Sequence, residues 1–175
     1  MINRPITYER LLAYFEGLAD AHVLIDAFVG FSRNEFAERS RSREGLQGFA
    51  LVMFGYSGTL DGNSQRTISR RTVSFAVLKA RRKRGDYGEL YGIVSEAEEI
   101  GLAILSRIWR DARTPGHFLY NAFEKDSVRF SEVLDLEGSD FAGTEFHFTL
   151  KVGDPLTVDP EDWKDLNDVC DDSVV

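Results

Sequence analysis

A single cysteine, Cys170, excludes an intrachain disulfide and any zinc or iron–sulfur centre built from several thiolates. Histidine is nearly as scarce. His22, His117 and His147 share no metal-ligand spacing with one another or with Cys170, and no His-Glu-x-x-His pattern occurs. No apolar run is long enough to form a membrane-spanning helix. The opening Met1-Ile2-Asn3-Arg4-Pro5 lacks the continuous apolar stretch of a secretory signal, so a soluble, cytoplasmic product is expected. Nucleophile signatures are missing too: there is no G-x-S-x-G and no Walker A lysine. Carboxylates around Cys170 disfavour its thiolate. The sequence offers no convergent acid, base and nucleophile, so it reads as a non-enzyme with no metal site.

What is present describes an ordinary globular chain. Its 175 residues suit one domain with a tail. Thirteen Phe, six Tyr and two Trp supply enough bulky apolar surface for a core, which excludes wholesale disorder. Charge is spread unevenly. From Asp154 onward eight acids face Lys164 alone, a net −7, leaving about −1 for the preceding 153 residues. A single α+β domain over residues 1–153 is therefore expected, followed by an acidic extension over 154–175.

Periodicity assigns the elements. Tyr8, Leu11, Leu12, Phe15 and Leu18 recur at helical spacing behind Pro5. The apolar run 22–31 is ambiguous, and the polar stretch 34–43 has no periodicity. Residues 49–56 read as a buried strand and 58–64, with Asp61-Gly62, as a turn. Residues 67–80 form the returning strand, so a long hairpin is expected with a basic cluster at its end. Ser95-Glu96-Ala97-Glu98 fits a capping box, placing a helix start there. Ala97, Ile100, Gly101, Ile104, Leu105, Ile108 and Trp109 form its apolar stripe, and Thr114-Pro115-Gly116 ends it. Residues 128–136 and 145–152 alternate as a second hairpin, the latter with Phe146, Phe148 and Leu150 opposite Glu145, His147 and Thr149. Asp159-Pro160 opens a short helix in the tail. The expected architecture is an antiparallel sheet of two hairpins covered by an N-terminal and a central amphipathic helix.

Two charge sets are the candidate interaction residues. The basic one contains Arg70, Arg71, Lys79, Arg81, Arg82, Lys83 and Arg84; the acidic one contains Glu96, Glu98 and Glu99. Unlike patches on one chain suit head-to-tail association of copies, while the bland reading is a solvated surface. Residues 79–84 are dense enough to neutralise several phosphates, but the run has no interleaved aromatic and the chain's pI is near 4.9. Specific nucleic-acid binding is thus the alternative rather than the preferred reading.

This layout resembles the tail terminator and tail-completion proteins of long-tailed bacteriophages and related prophage proteins. The likeness is carried by the strands at 49–56 and 67–80, the helix after Ser95, and the segment 130–152 with its Gly143-Thr144-Glu145-Phe146-His147-Phe148 strand. Asp26-Ala27-Phe28-Val29-Gly30, leading into the Phe49 strand, also looks like the opening of such proteins. The resemblance spans about residues 6–152 and leaves the acidic extension unexplained. It implies a structural virion protein, assembled in the host cytoplasm, whose copies (commonly a hexamer) close a ring on the tail tube. The partners it implies are further copies, the tail tube protein and a head-completion or connector protein. No cofactor, active site or membrane is implied.

Overall fold

Helix α1 spans Tyr8–Ala21, and its N-terminus is closed by Thr7, whose hydroxyl accepts from the Arg10 N–H at 3.3 Å. Leu11, Phe15, Leu18 and Ala19 recur on one side of it and are buried. The computed structural model describes residues 6–30, 48–63, 66–81, 85–134, 140–154 and 156–167. The polar stretch 34–43, Arg82, Lys83, Arg84, Cys170 and the end of the acidic extension lie outside the described residues.

The α+β architecture expected from the sequence is what the chain adopts. After α1 come β1 (Ile25–Val29), β2 (Phe49–Asn63), β3 (Arg66–Ala80), helix α2 (Tyr87–Ala112), β4 (Phe123–Val133) and β5 (Phe141–Gly153). They form one five-stranded sheet in the order β1-β2-β3-β5-β4. Both expected hairpins are present, joined through the antiparallel β3–β5 pair. The sheet is nevertheless mixed, not purely antiparallel, because the ambiguous run before Phe31 supplies β1, which lies parallel to β2.

Three local expectations are corrected. First, Gly58–Asn63 is strand, not turn: these residues pair one for one with Arg71 down to Arg66. Cross-strand register overrides the turn-forming composition. Within the strand, Gly62 has a φ of +121° and so close an approach to the Arg66 carbonyl that no Cβ is admitted. Second, α2 begins at Tyr87, capped by Asp86, whose carboxylate accepts from the Glu89 N–H at 3.1 Å. Ser95 and Glu96 therefore sit mid-helix, and neither capping nor the helix dipole explains the acids there. Third, the described members of the basic set are split: Lys79 and Arg81 lie at the open end of the β2–β3 hairpin, opposite its tip, while Arg70 and Arg71 stand on its distal half.

Both helices contribute to one buried cluster with one side of the sheet. Alternation along the strands presents Leu51 and Met53, Val73, Phe75 and Val77, and Phe146, Phe148 and Leu150 to that cluster. Phe75 stacks on Phe146 with centroids 5.0 Å apart, and Phe15 meets Phe75 at 5.5 Å. All three rings are fully buried, each contributing roughly 1.5–3 kcal/mol by removal from water. Gly101 lets α2 approach closely, since a Cβ there would run into the Phe146 ring. The opposite strand positions, Val29, Ala50, Val52, Ala76, Leu78 and Phe141, form a second, smaller cluster.

Candidate interaction surfaces

The distal half of the β2–β3 hairpin runs beyond the helix-packed core, and residues 57–63 are all exposed. β1 pairs only with Phe49–Val52, so among the described residues no strand pairs the outer edge of β2 beyond Val52. An open edge of this kind is a template for another chain. The segment Ser57-Gly58-Thr59-Leu60 carries no charge to repel one, and Leu60 is 55% exposed.

The described members of the expected basic set, Arg70, Arg71, Lys79 and Arg81, are distributed along β3 and just past its end and are engaged, and Arg82, Lys83 and Arg84 lie outside the described residues. Arg70 bonds Glu124 at 3.1 Å and approaches Asp61 at 3.6 Å, while Lys151 approaches the same Glu124 at 3.7 Å. Register puts Arg70 beside Lys151 and Glu124 beside Thr149, which makes a cross-strand ionic cluster over β3, β5 and β4. Such exposed pairs contribute about 0–1 kcal/mol each. Arg71 bonds the buried Asp154 at 3.3 Å, and the Asp154 N–H donates to the Thr67 carbonyl. The first residue of the expected extension is thus anchored on the body.

At the hairpin's open end Lys79 lies over the Phe49 ring at 4.6 Å and reaches Glu96 at 3.9 Å; Arg81 reaches Asp140 at 3.8 Å. One member of the basic set therefore meets one member of the acidic set inside a single chain. Glu98 is half-buried and Glu99 exposed on the same helix.

A second surface was not foreseen. Trp109, expected in the core stripe, is 41% exposed. It lies seven residues after Leu102, equally exposed, on the flank of α2 next to the buried stripe. Lys125, from β4, and Arg113 approach its ring at 4.9 and 5.5 Å. Ser106, Trp109, Arg110, Arg113 and Thr114 line an open hollow of about 350 Å³. Arg110, Arg113 and Lys125 have no carboxylate partner among the described residues, unlike Arg70, Arg71, Lys79 and Arg107. The sequence signal was a tryptophan beside two arginines at a helix end. Lys125 joins them only through the fold.

The acidic segment is the third surface. After Asp154 it carries exposed Leu156, Val158, Trp163 and Leu166 among Asp159, Glu161, Asp162 and Asp165. The expected short helix there consists of a 3-10 turn, Pro160–Asp162, capped by Asp159, and one α-turn, Lys164–Asn167.

One polar group is built into the core instead. The Tyr14 hydroxyl donates to Asp111 Oδ2 at 2.9 Å, and Arg107 Nε donates to both Asp111 oxygens at 3.0 and 3.1 Å. Burial first, and then the bond to Asp111, hold the Tyr14 hydroxyl well above the ordinary tyrosine range. It ties α1 to α2. Among the described residues no three metal-ligating side chains gather, and no helix is long and apolar enough to cross a membrane. Searches against protein-family models and against curated proteins found no match to the chain.

Proposed function

We propose that this chain is a structural virion protein of a long-tailed phage or prophage. Copies close a ring, commonly a hexamer in the proteins it resembles, on the end of the tail tube and form the head-tail joining surface. Its partners are further copies, the tail tube protein and a head-completion or connector protein, and its site of action is the tail or neck of the particle. The reading gives the chain no catalytic role and no cofactor.

The observation that carries this proposal is the distal half of the β2–β3 hairpin, an exposed strand edge extending past a well-packed core. A ring requires each copy to meet the next through two different surfaces. The hairpin edge supplies one exposed surface of this kind. The alternative reading is a nucleic-acid-associated accessory protein that uses the basic run at residues 79–84, of which Lys79 and Arg81 approach Glu96 and Asp140. Cryo-electron microscopy of particles from the encoding element tests the proposal. A closed ring of this chain between tube and head is expected; its absence from mature particles, with the protein found on host DNA, would refute it.

A further inference from the structure

We propose that the acidic segment 156–167 of one copy docks into the Trp109 hollow of a second copy. This deepens the ring reading and rests on it, because it names the contact that would pass from one copy to the next.

Charge is the first argument. Segment 156–167 carries four acids against Lys164, a net −3; Arg110 and Arg113 line the hollow and Lys125 lies over the ring of its Trp109, three positive charges together. These three cations have no carboxylate partner among the described residues, whereas most basic side chains of the sheet do. Complementary potentials of this kind fix register and speed encounter.

Apolar surface is the second. Leu156, Val158, Trp163 and Leu166 are 39–62% exposed within the chain, and Trp109 is 41% exposed. Four such side chains within eleven residues make an apolar patch on the segment, and apolar patches rimmed by polar residues mark interaction sites. Aromatic and arginine residues are also the groups that carry most binding energy at such contacts. A hollow of about 350 Å³ beside Trp109 has room for one large side chain of the segment, and Trp163 is the natural occupant.

The third argument is placement. Asp154 is fixed to β3 through Thr67 and Arg71, so the segment leaves the body from a rigid point. Its apolar residues do not cover the hollow of their own chain, since both remain exposed. A second copy supplies the missing cover on each side, and the contact is heterologous, as a ring needs.

The test mixes two variants of the full chain. One carries Arg110→Glu with Arg113→Glu and loses the hollow's charge; the other carries Trp163→Ala with Leu166→Ala and loses the anchors. All four positions are exposed, so both variants should retain the wild-type melting temperature. Lys125→Glu is a further variant beside the hollow, over the Trp109 ring, that leaves the helix end untouched. Sedimentation velocity at low salt should show wild-type association that is weakened about tenfold or more in each variant alone. Mixing the two should restore association between unlike variants, because each retains the partner surface that the other has lost.

Wild-type association that persists in either variant would overturn the docking while leaving a ring through the hairpin edge standing. A wild type that stays monomeric at every concentration, or whose Trp163 protection is independent of concentration, would overturn it in favour of no contact or a contact within one chain. Binding of a labelled single-stranded oligonucleotide, lost on charge reversal at Arg110 and Arg113, would assign the hollow to nucleic acid and end the proposal. A ring in particles whose segment density lies away from Trp109 would separate failure of the docking from failure of the ring itself.

Discussion

The two ends of β2 are opposites in burial. Phe49–Met53 is buried, flanked by β1 and β3 and contributing side chains to both apolar clusters. Ten residues on, Thr59–Asn63 is exposed throughout and its outer edge meets no described strand. The backbone pairing with β3 is continuous across both ends apart from one irregularity between Met53 and Gly55. One strand thus combines a half that stabilises the fold with a half that stabilises little and stays available for contact. The lesson concerns where free energy lies: hydrogen bonding is shared along the hairpin, but removal of apolar surface from water is confined to one end.

Substitutions should separate the halves by magnitude. Phe75→Ala or Phe146→Ala removes a fully buried ring from the stacked pair and should cost about 3–5 kcal/mol in denaturant unfolding. Gly101→Val should cost about 1–3 kcal/mol by pushing α2 off the Phe146 ring, read in the same experiment. Arg71→Ala should also cost about 1–3 kcal/mol, since it leaves the buried Asp154 carboxylate without its guanidinium. At the distal end Leu60→Ser should change stability by less than about 0.5 kcal/mol while weakening self-association. A large stability loss from Leu60→Ser would erase the distinction between the two halves.

Alkaline pH probes the stable half from another side. Tyr14 has a raised pKa in the folded chain, so the unfolded chain ionises first as pH passes about 10. Above that pH the unfolded state binds fewer protons than the folded one, and stability falls as pH rises. Tyr14→Phe should flatten this loss, which a series of urea titrations from neutral to alkaline pH will detect. An unchanged slope would show that the Tyr14–Asp111 bond does not bias the proton.

Much of the buried half was legible in the sequence, and the physical reason is periodicity. β5 announced itself because Phe146, Phe148 and Leu150 enter the core while Glu145 and His147 face out, bonded to each other at 3.1 Å. The stripe from Ala97 to Ile108 was equally clear, yet the first two turns of α2 were not. Gly88 and Gly92 weaken helical propensity there, and Asp86 was a less obvious cap than Ser95. β1 was obscured because five residues do not distinguish strand from helix. The distal half of the hairpin was hidden for the opposite reason. Gly58, Asp61 and Gly62 carry turn chemistry, and pairing with β3 holds them extended.

The interaction surfaces were less legible still. Charge counting in the sequence grouped Lys79 with Arg81 and opposed them to Glu96, whereas folding brings Lys79 and Glu96 within 3.9 Å. Trp109 fitted the apolar stripe by spacing, but its place on the flank leaves it beside Arg113 and Lys125. Contacts between residues distant in sequence follow from topology, which local pattern does not encode.

The central claim is that the exposed end of β2 is a contact surface built on a rigid core. Hydrogen exchange with peptide resolution, on dilute protein and on assembled particles, tests it most directly. Amides of residues 49–53 should exchange slowly in both states, near the rate of global unfolding. Amides of residues 57–63 should exchange much faster in the dilute chain and slow markedly on assembly. Equal protection of both ends in the dilute chain, or no change at 57–63 in assembled particles, would contradict the account.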